Sequence, residues 1–107
     1  MTGPDHRDDT PQSQILMDAD AAFRVSARRN RLLANWAAEK MELTAEEADA
    51  YSKAVIQSDF EGAGDEDVIR KVLGDLVAAG CDIDQASVRA ALEDKAVEAR
   101  RQLMGES

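Results

Sequence analysis

The placement of helix breakers constrains this chain more than any other feature. Six glycines and two prolines are its only strong breakers in 107 residues, and most stand at the ends of helix-patterned stretches. Pro4 and Pro11 fall near the start, Gly62 and Gly64 bracket Ala63, Gly80 follows Ala78-Ala79, and Gly105 precedes the last two residues. Between them Ala, Leu, Glu, Arg and Asp dominate, β-branched residues are few, and aromatics make up only 4%. No stretch alternates as a half-buried strand would. Such a chain folds as helices with short connections, and short connections make neighbours antiparallel. The expected fold is therefore all-α: a small antiparallel four-helix bundle with a long first helix and a mobile N-terminal tail.

Residues 1–12 offer almost no apolar side chains to offset the entropy of ordering, so they are expected to be a flexible tail before a four-helix domain over 13–107. The first helix is expected from about Ser13, with Thr10-Pro11 as an alternative start, to about Met41. Its apolar positions run Ile15, Ala19, Ala22, Phe23, Ala27, Leu33, Trp36 and Ala37, a broken pattern of threes and fours. Thr44-Ala45-Glu46-Glu47 reads as a capping box opening the second helix. That helix carries Ala48, Tyr51, Val55, Ile56 and Phe60 on one broad face. Asp65, Glu66 and Asp67 suit the positive end of a third helix. Ile69, Val72, Leu73 and Leu76 supply its apolar stripe, and Gly80 is a natural C′ residue. Asp84 caps a fourth helix, with Ile83 and Val88 as a hydrophobic staple. Gly74, in the middle of the third helix, costs about 1 kcal/mol relative to Ala; close approach of another helix is the simplest reason for it.

The net charge is −9, which argues against a nucleic-acid or membrane-surface binder. No apolar run approaches the ~18 residues of a membrane span, and no signal-peptide pattern opens the chain. A lone cysteine, Cys81, excludes an internal disulfide and fits a reducing cytoplasm. No phosphate-binding glycine loop, catalytic carboxylate pair or nucleophile–base pattern is present. An enzyme is not expected, and neither catalytic residues, metal ligands nor a required cofactor are assigned.

Charge is unevenly spread. Residues 42–67 hold nine acids against Lys53, a local −8, while residues 21–40 hold five bases against Glu39, a local +4. In an antiparallel bundle the 61–65 turn should lie level with residues 25–28, and the fourth helix should bring Arg100 and Arg101 to the same end. Arg24, Arg28, Arg29, Arg100 and Arg101 would then surround Asp65-Glu66-Asp67. Two readings stay open: internal ion pairing with helix capping, or a site where arginine forks hold an anionic ligand such as a nucleotide phosphate. Trp36 reads as core packing, and Cys81 lacks the basic partner that would make it a nucleophile.

The stretch Ala27-Arg28-Arg29-Asn30-Arg31-Leu32-Leu33-Ala34-Asn35-Trp36-Ala37-Ala38 resembles the A-R-R-N-K-L-L-G-x-W-A-A signature of the zeta subunits of alphaproteobacterial ATP synthase. Asp59–Val72 is similar to the same family's second block, and the two stand in the right order. The resemblance covers roughly residues 18–103. It implies a four-helix, non-catalytic regulatory subunit on the catalytic head of the F-type ATP synthase, restraining ATP hydrolysis. Such a subunit would be cytoplasmic and peripheral at the inner membrane, without inserting into it, and a monomer when isolated. The resemblance also implies adenine-nucleotide binding, which makes ADP or ATP a candidate ligand. Arg28, Arg29 and Asn30, with Arg24, Arg100 and Arg101, are its candidate residues.

Departures from the family pattern concentrate at the N-terminus. Family members open with a segment of the F-x-x-R-E-x-A-F-E kind, the part thought to enter the ATPase. Here Asp5–Ser13 has neither phenylalanine, and Pro11 is expected to stop any helix from starting earlier. Ala34-Asn35 also replaces the usual Gly-Leu pair. The partner-binding candidates are accordingly Ile15, Leu16, Met17 and Phe23, and inhibition is expected to be weak. The alternative is a free-standing adenine-nucleotide-binding helical protein that has lost the ATPase-inhibitory role.

Overall fold

Four helices carry nearly all of the described chain: α1 (Pro4–Lys40), α2 (Ala45–Glu61), α3 (Asp65–Ala78) and α4 (Gln85–Gly105). The computed structural model describes residues 4–62 and 64–105, with side chains from Asp20 onward. The architecture is the expected all-α four-helix bundle. Pairings along α1 set the directions. Arg28 meets Gln102 while the end of α1 at Lys40 meets Cys81, so α4 runs opposite to α1. Asn30 meets Asp59 while the α1–α2 connection folds back on Ala38, so α2 does the same.

Local chemistry explains the helix ends. The Thr44 hydroxyl accepts from the Glu47 amide at 3.1 Å, and the Glu47 carboxylate accepts from the Thr44 amide at 2.8 Å, which completes the capping box. Asp84 accepts from the Ser87 amide at 2.9 Å and caps α4. This bond holds the Asp84 carboxyl below the usual carboxylate range. After α3 the Cys81 amide bonds the Leu76 carbonyl and the Gly80 amide bonds that of Val77. This Schellman closure puts Gly80 at φ +89°, which glycine adopts without a Cβ penalty. The same closure ends α1, with Leu43 bonding Ala38 and Glu42 bonding Glu39. There, however, the left-handed residue is Glu42 at φ +59°. Nothing in the sequence marks a glutamate for that position.

The core lies where α1, α2, α3 and α4 meet, on Leu33, Val55, Ile69, Val72, Leu76 and Leu92, each nearly or fully buried. Trp36 packs against this cluster with Lys40 Nζ 5.0 Å from its ring centre, in keeping with a packing role. Tyr51 of α2 donates to Asp75 of α3 at 2.8 Å, and Lys71 also donates to Asp75. Burial, followed by that bond to a carboxylate, pushes the Tyr51 phenol well above its ordinary value. Cys81 Sγ donates to the Lys40 carbonyl at 3.4 Å, giving a partner to one of the acceptors left over at the end of α1.

Three expectations need correction. The first helix begins at Pro4, nine residues before Ser13, and continues through Pro11. A proline removes one bond of the ladder, and helix propagation on both sides carries the backbone past it. Gly74 is exposed, and a Cβ there would meet nothing within 4 Å, so no neighbouring helix accounts for it. Phe60 is 77% exposed rather than part of a buried face: it stands one residue before α2 ends, beside an open hollow, while its neighbour Asp59 meets α1. No described helix is long and apolar enough to cross a membrane.

Candidate functional site

The length of α1 creates the site. At about 1.5 Å per residue, its 37 residues run far past the 17 of α2 and the 21 of α4. Residues 22–31 therefore sit at the end of the bundle where α2 and α4 stop. A turn of 100° per residue sends neighbouring side chains of this stretch to different helices. Arg28 donates to Gln102 of α4 at 2.8 Å. Arg29, the next residue, turns to α2 and α3, donating to Asp65 at 3.0 Å and lying 3.6 Å from Asp59. Arg29 Nε also donates to Asn30 Oδ1 at 3.1 Å, and the Asn30 amide donates to Asp59 at 2.9 Å. Asn30 is 1% exposed and the Arg29 side chain 11%, so this network joins three helices and is dry at its centre, opening to water at Asp65.

The arginine cluster expected around the acidic turn is thus only partly assembled. Of the five arginines, Arg29 alone pairs with Asp65. Glu66 is held by Arg89 of α4 at 2.8 Å, and Asp67 pairs with Arg70. The bond from Arg89 lowers the Glu66 carboxyl and raises the Arg89 guanidinium. Arg24 pairs with Asp20 on its own helix at 2.8 Å. Arg100 and Arg101 are exposed and pair with no carboxylate among the described residues. The turn's acids thus take an arginine from α1, from α3 and from α4.

Two hollows adjoin along α1, the first bordering the Arg29 network at Asn30 and Asp59. The first, of about 330 Å³, is lined by α1 from Ala22 to Asn30 and by Ile56, Asp59 and Phe60 of α2. The second, of about 300 Å³, is lined by Phe23, Arg24, Ala27, Arg28, Arg31, Ile56 and Leu103. Phe23, 56% exposed, belongs to both, so this partner-binding candidate stands at an accessible place. Ile15, Leu16 and Met17 lie outside the described side chains. Arg31 was not singled out by the sequence, although its spacing from Arg24 and Arg28 placed it on the same face. Among the described residues no three His, Cys, Asp or Glu side chains gather as a metal set.

Fold and site together define a small helical bundle with a helical arm and a solvent-open apolar and basic end. Residues 1–102 match the family described as ATPase inhibitor subunit zeta, and the chain belongs to that family. A protein whose structure was solved in solution by NMR is 46% identical to it, covering 79% of this chain and 96% of its own, with a TM-score of 0.69. No curated protein matches the chain.

Proposed function

We propose that the chain is a non-catalytic regulatory subunit that binds the catalytic head of an F-type ATP synthase and restrains ATP hydrolysis weakly. The observation that carries this reading is the family match over residues 1–102. The α1 arm supports it, since a helix that runs past the rest of the bundle can lie in a groove of a partner. Weakness follows from composition. Interfaces of this kind rest on a few large buried side chains, and residues 2–14 hold no aromatic and no large aliphatic residue. Asp5, Asp8 and Asp9, offset only by Arg7, would also need desolvation. Anchoring therefore starts at Ile15, Leu16 and Met17, with Phe23 nearer the bundle. Its place is at the cytoplasmic side of the inner membrane, held there by the enzyme.

The test is ATP hydrolysis by the cognate enzyme with and without the protein. Little inhibition near a 1:1 ratio is expected, and a sharp rise once a family-type F-x-x-R-E-x-A-F-E segment is grafted ahead of residue 15. Strong inhibition by the unmodified chain at that ratio would show that the anchors lie elsewhere.

The alternative, a free-standing adenine-nucleotide binder, is favoured by the hollow that Arg24 and Arg28 line beside Phe23. It is weakened by the commitment of Arg29 and Asn30 to Asp59 and Asp65. An ADP titration followed by NMR decides it: perturbation at Arg24–Arg31 and Arg100–Arg101 supports the site, and none refutes it.

A further inference from the structure

The hollow between Phe23, Ile56 and Leu103 differs in charge from the rest of the molecule. The chain carries −9 overall, yet the lining of this hollow holds three arginines and no carboxylate. Arg31 is exposed and pairs with no carboxylate among the described residues. Among the described residues Arg28 is engaged by the neutral Gln102 and by no carboxylate. Arg24 has Asp20, but both side chains are more than half exposed, so water screens that pair. Glu98, one turn before Gln102, is already held by Lys95 and Gln102.

Spacing adds shape to this charge. Arg24, Arg28 and Arg31 stand at i, i+4 and i+7, a row of about 10.5 Å along α1. Beside the row runs a floor that no described helix covers, apolar at Phe23, Ala27, Ile56 and Leu103 and continuing to the exposed Phe60, with Asp59 on its far side already taken by Asn30 and Arg29. A basic row next to an apolar trough complements a helix with apolar side chains on one stripe and carboxylates at the same spacing beside it.

We propose that this end of the bundle is the docking face for an acidic amphipathic helix of a partner protein. Its apolar side chains enter the Phe23–Ile56–Leu103 hollow, and its carboxylates align on Arg24, Arg28 and Arg31. The inference rests on the reading of the chain as a docking subunit, and adds a contact at the bundle end, continuous with the α1 arm through Phe23, together with the chemistry of what it receives.

The probe is a designed amphipathic peptide with leucines on one stripe and glutamates flanking it, titrated into the full chain and followed by NMR. A matched peptide with lysine for glutamate serves as its counterpart. The glutamate peptide should shift Phe23, Ala27, Arg31, Ile56 and Leu103, and its affinity should fall about tenfold in Arg31→Glu and in Phe23→Ser. Both positions are exposed, so unchanged melting of the variants assigns the loss to the face. Equal binding of the lysine peptide, shifts confined to α3, or no binding would overturn the proposal. So would displacement of the peptide by ADP at equal or lower concentration. Peptide binding without association with the ATPase head would sink the regulatory-subunit reading and leave the docking face standing. Association with the head by a chain that ignores the peptide would do the reverse.

Discussion

Arg29→Ala separates the two roles an arginine at the end of this bundle can have. The side chain makes three contacts, and their environments set their worth. The bond to Asp65 ends on a carboxylate that is 58% exposed, so it contributes about 0.5 kcal/mol. Asp59 is only 20% exposed, and the contact at 3.6 Å is correspondingly less screened, worth about 1 kcal/mol. The larger cost falls on Asn30, whose Oδ1 loses its donor while the residue stays 1% exposed. An orphaned buried acceptor costs about 1–3 kcal/mol. Allowing water to reach part of the space left by the stem, the total is about 2–4 kcal/mol.

For a domain of this size that corresponds to roughly 9–18 °C in melting temperature. Circular dichroism during heating, with urea unfolding for the free energy, measures it directly. Arg31→Ala is the control: exposed and outside the network, it should change stability by less than about 0.5 kcal/mol. If Arg29→Ala melts within about 2 °C of the parent yet loses ADP binding, the buried-network reasoning is wrong and Arg29 is a ligand residue.

Gly74→Ala should stabilise the chain by about 0.5–1 kcal/mol, because the added methyl enters open space in mid-helix; a lower melting temperature in calorimetry would reveal an unsuspected neighbour. Glu42→Gly should stabilise by about 1 kcal/mol by relieving the left-handed glutamate that ends α1, and an unchanged urea midpoint would count against it. Asp84 has its carboxyl depressed by the Ser87 amide, so its contribution is complete above the ordinary aspartate range and lost as pH falls through the depressed value. Asp84→Ala should therefore be less stable than the parent at neutral pH, with the gap closing in acid; a pH-independent gap refutes the assignment.

What the sequence made legible was mainly local. The caps at Thr44 and Asp84 and the turn at Gly80 depend on residues within five positions of one another, and each closes as its chemistry requires. Glu42 escaped because the closure that ends α1 puts a left-handed residue there, and a glutamate does not announce that position as a glycine would. Phe23 and Phe60 share the periodicity of core residues, but periodicity says which side of a helix is apolar and not where the neighbouring helix stops. The arginine cluster failed for a related reason. Matching residues by height along a bundle ignores rotation about each axis, and one residue of rotation sends Arg28 to α4 and Arg29 to α3.

That same rotation divides α1 into two functional sides. Arg29 and Asn30 turn inward and are fully engaged by Asp59 and Asp65, so they hold three helices in register. Arg24, Arg28 and Arg31 turn the other way, where no carboxylate lines the hollow beside them. Internal partners use that second set only in part: Arg28 holds the neutral Gln102, Arg24 the exposed Asp20, and Arg31 no carboxylate among the described residues. The chain has nine more acids than bases, and Glu66 and Asp67 show how readily they find an arginine when the fold presents one. Three arginines kept in a row beside exposed phenylalanine, in a protein with carboxylates in excess, are arginines directed at something outside the chain.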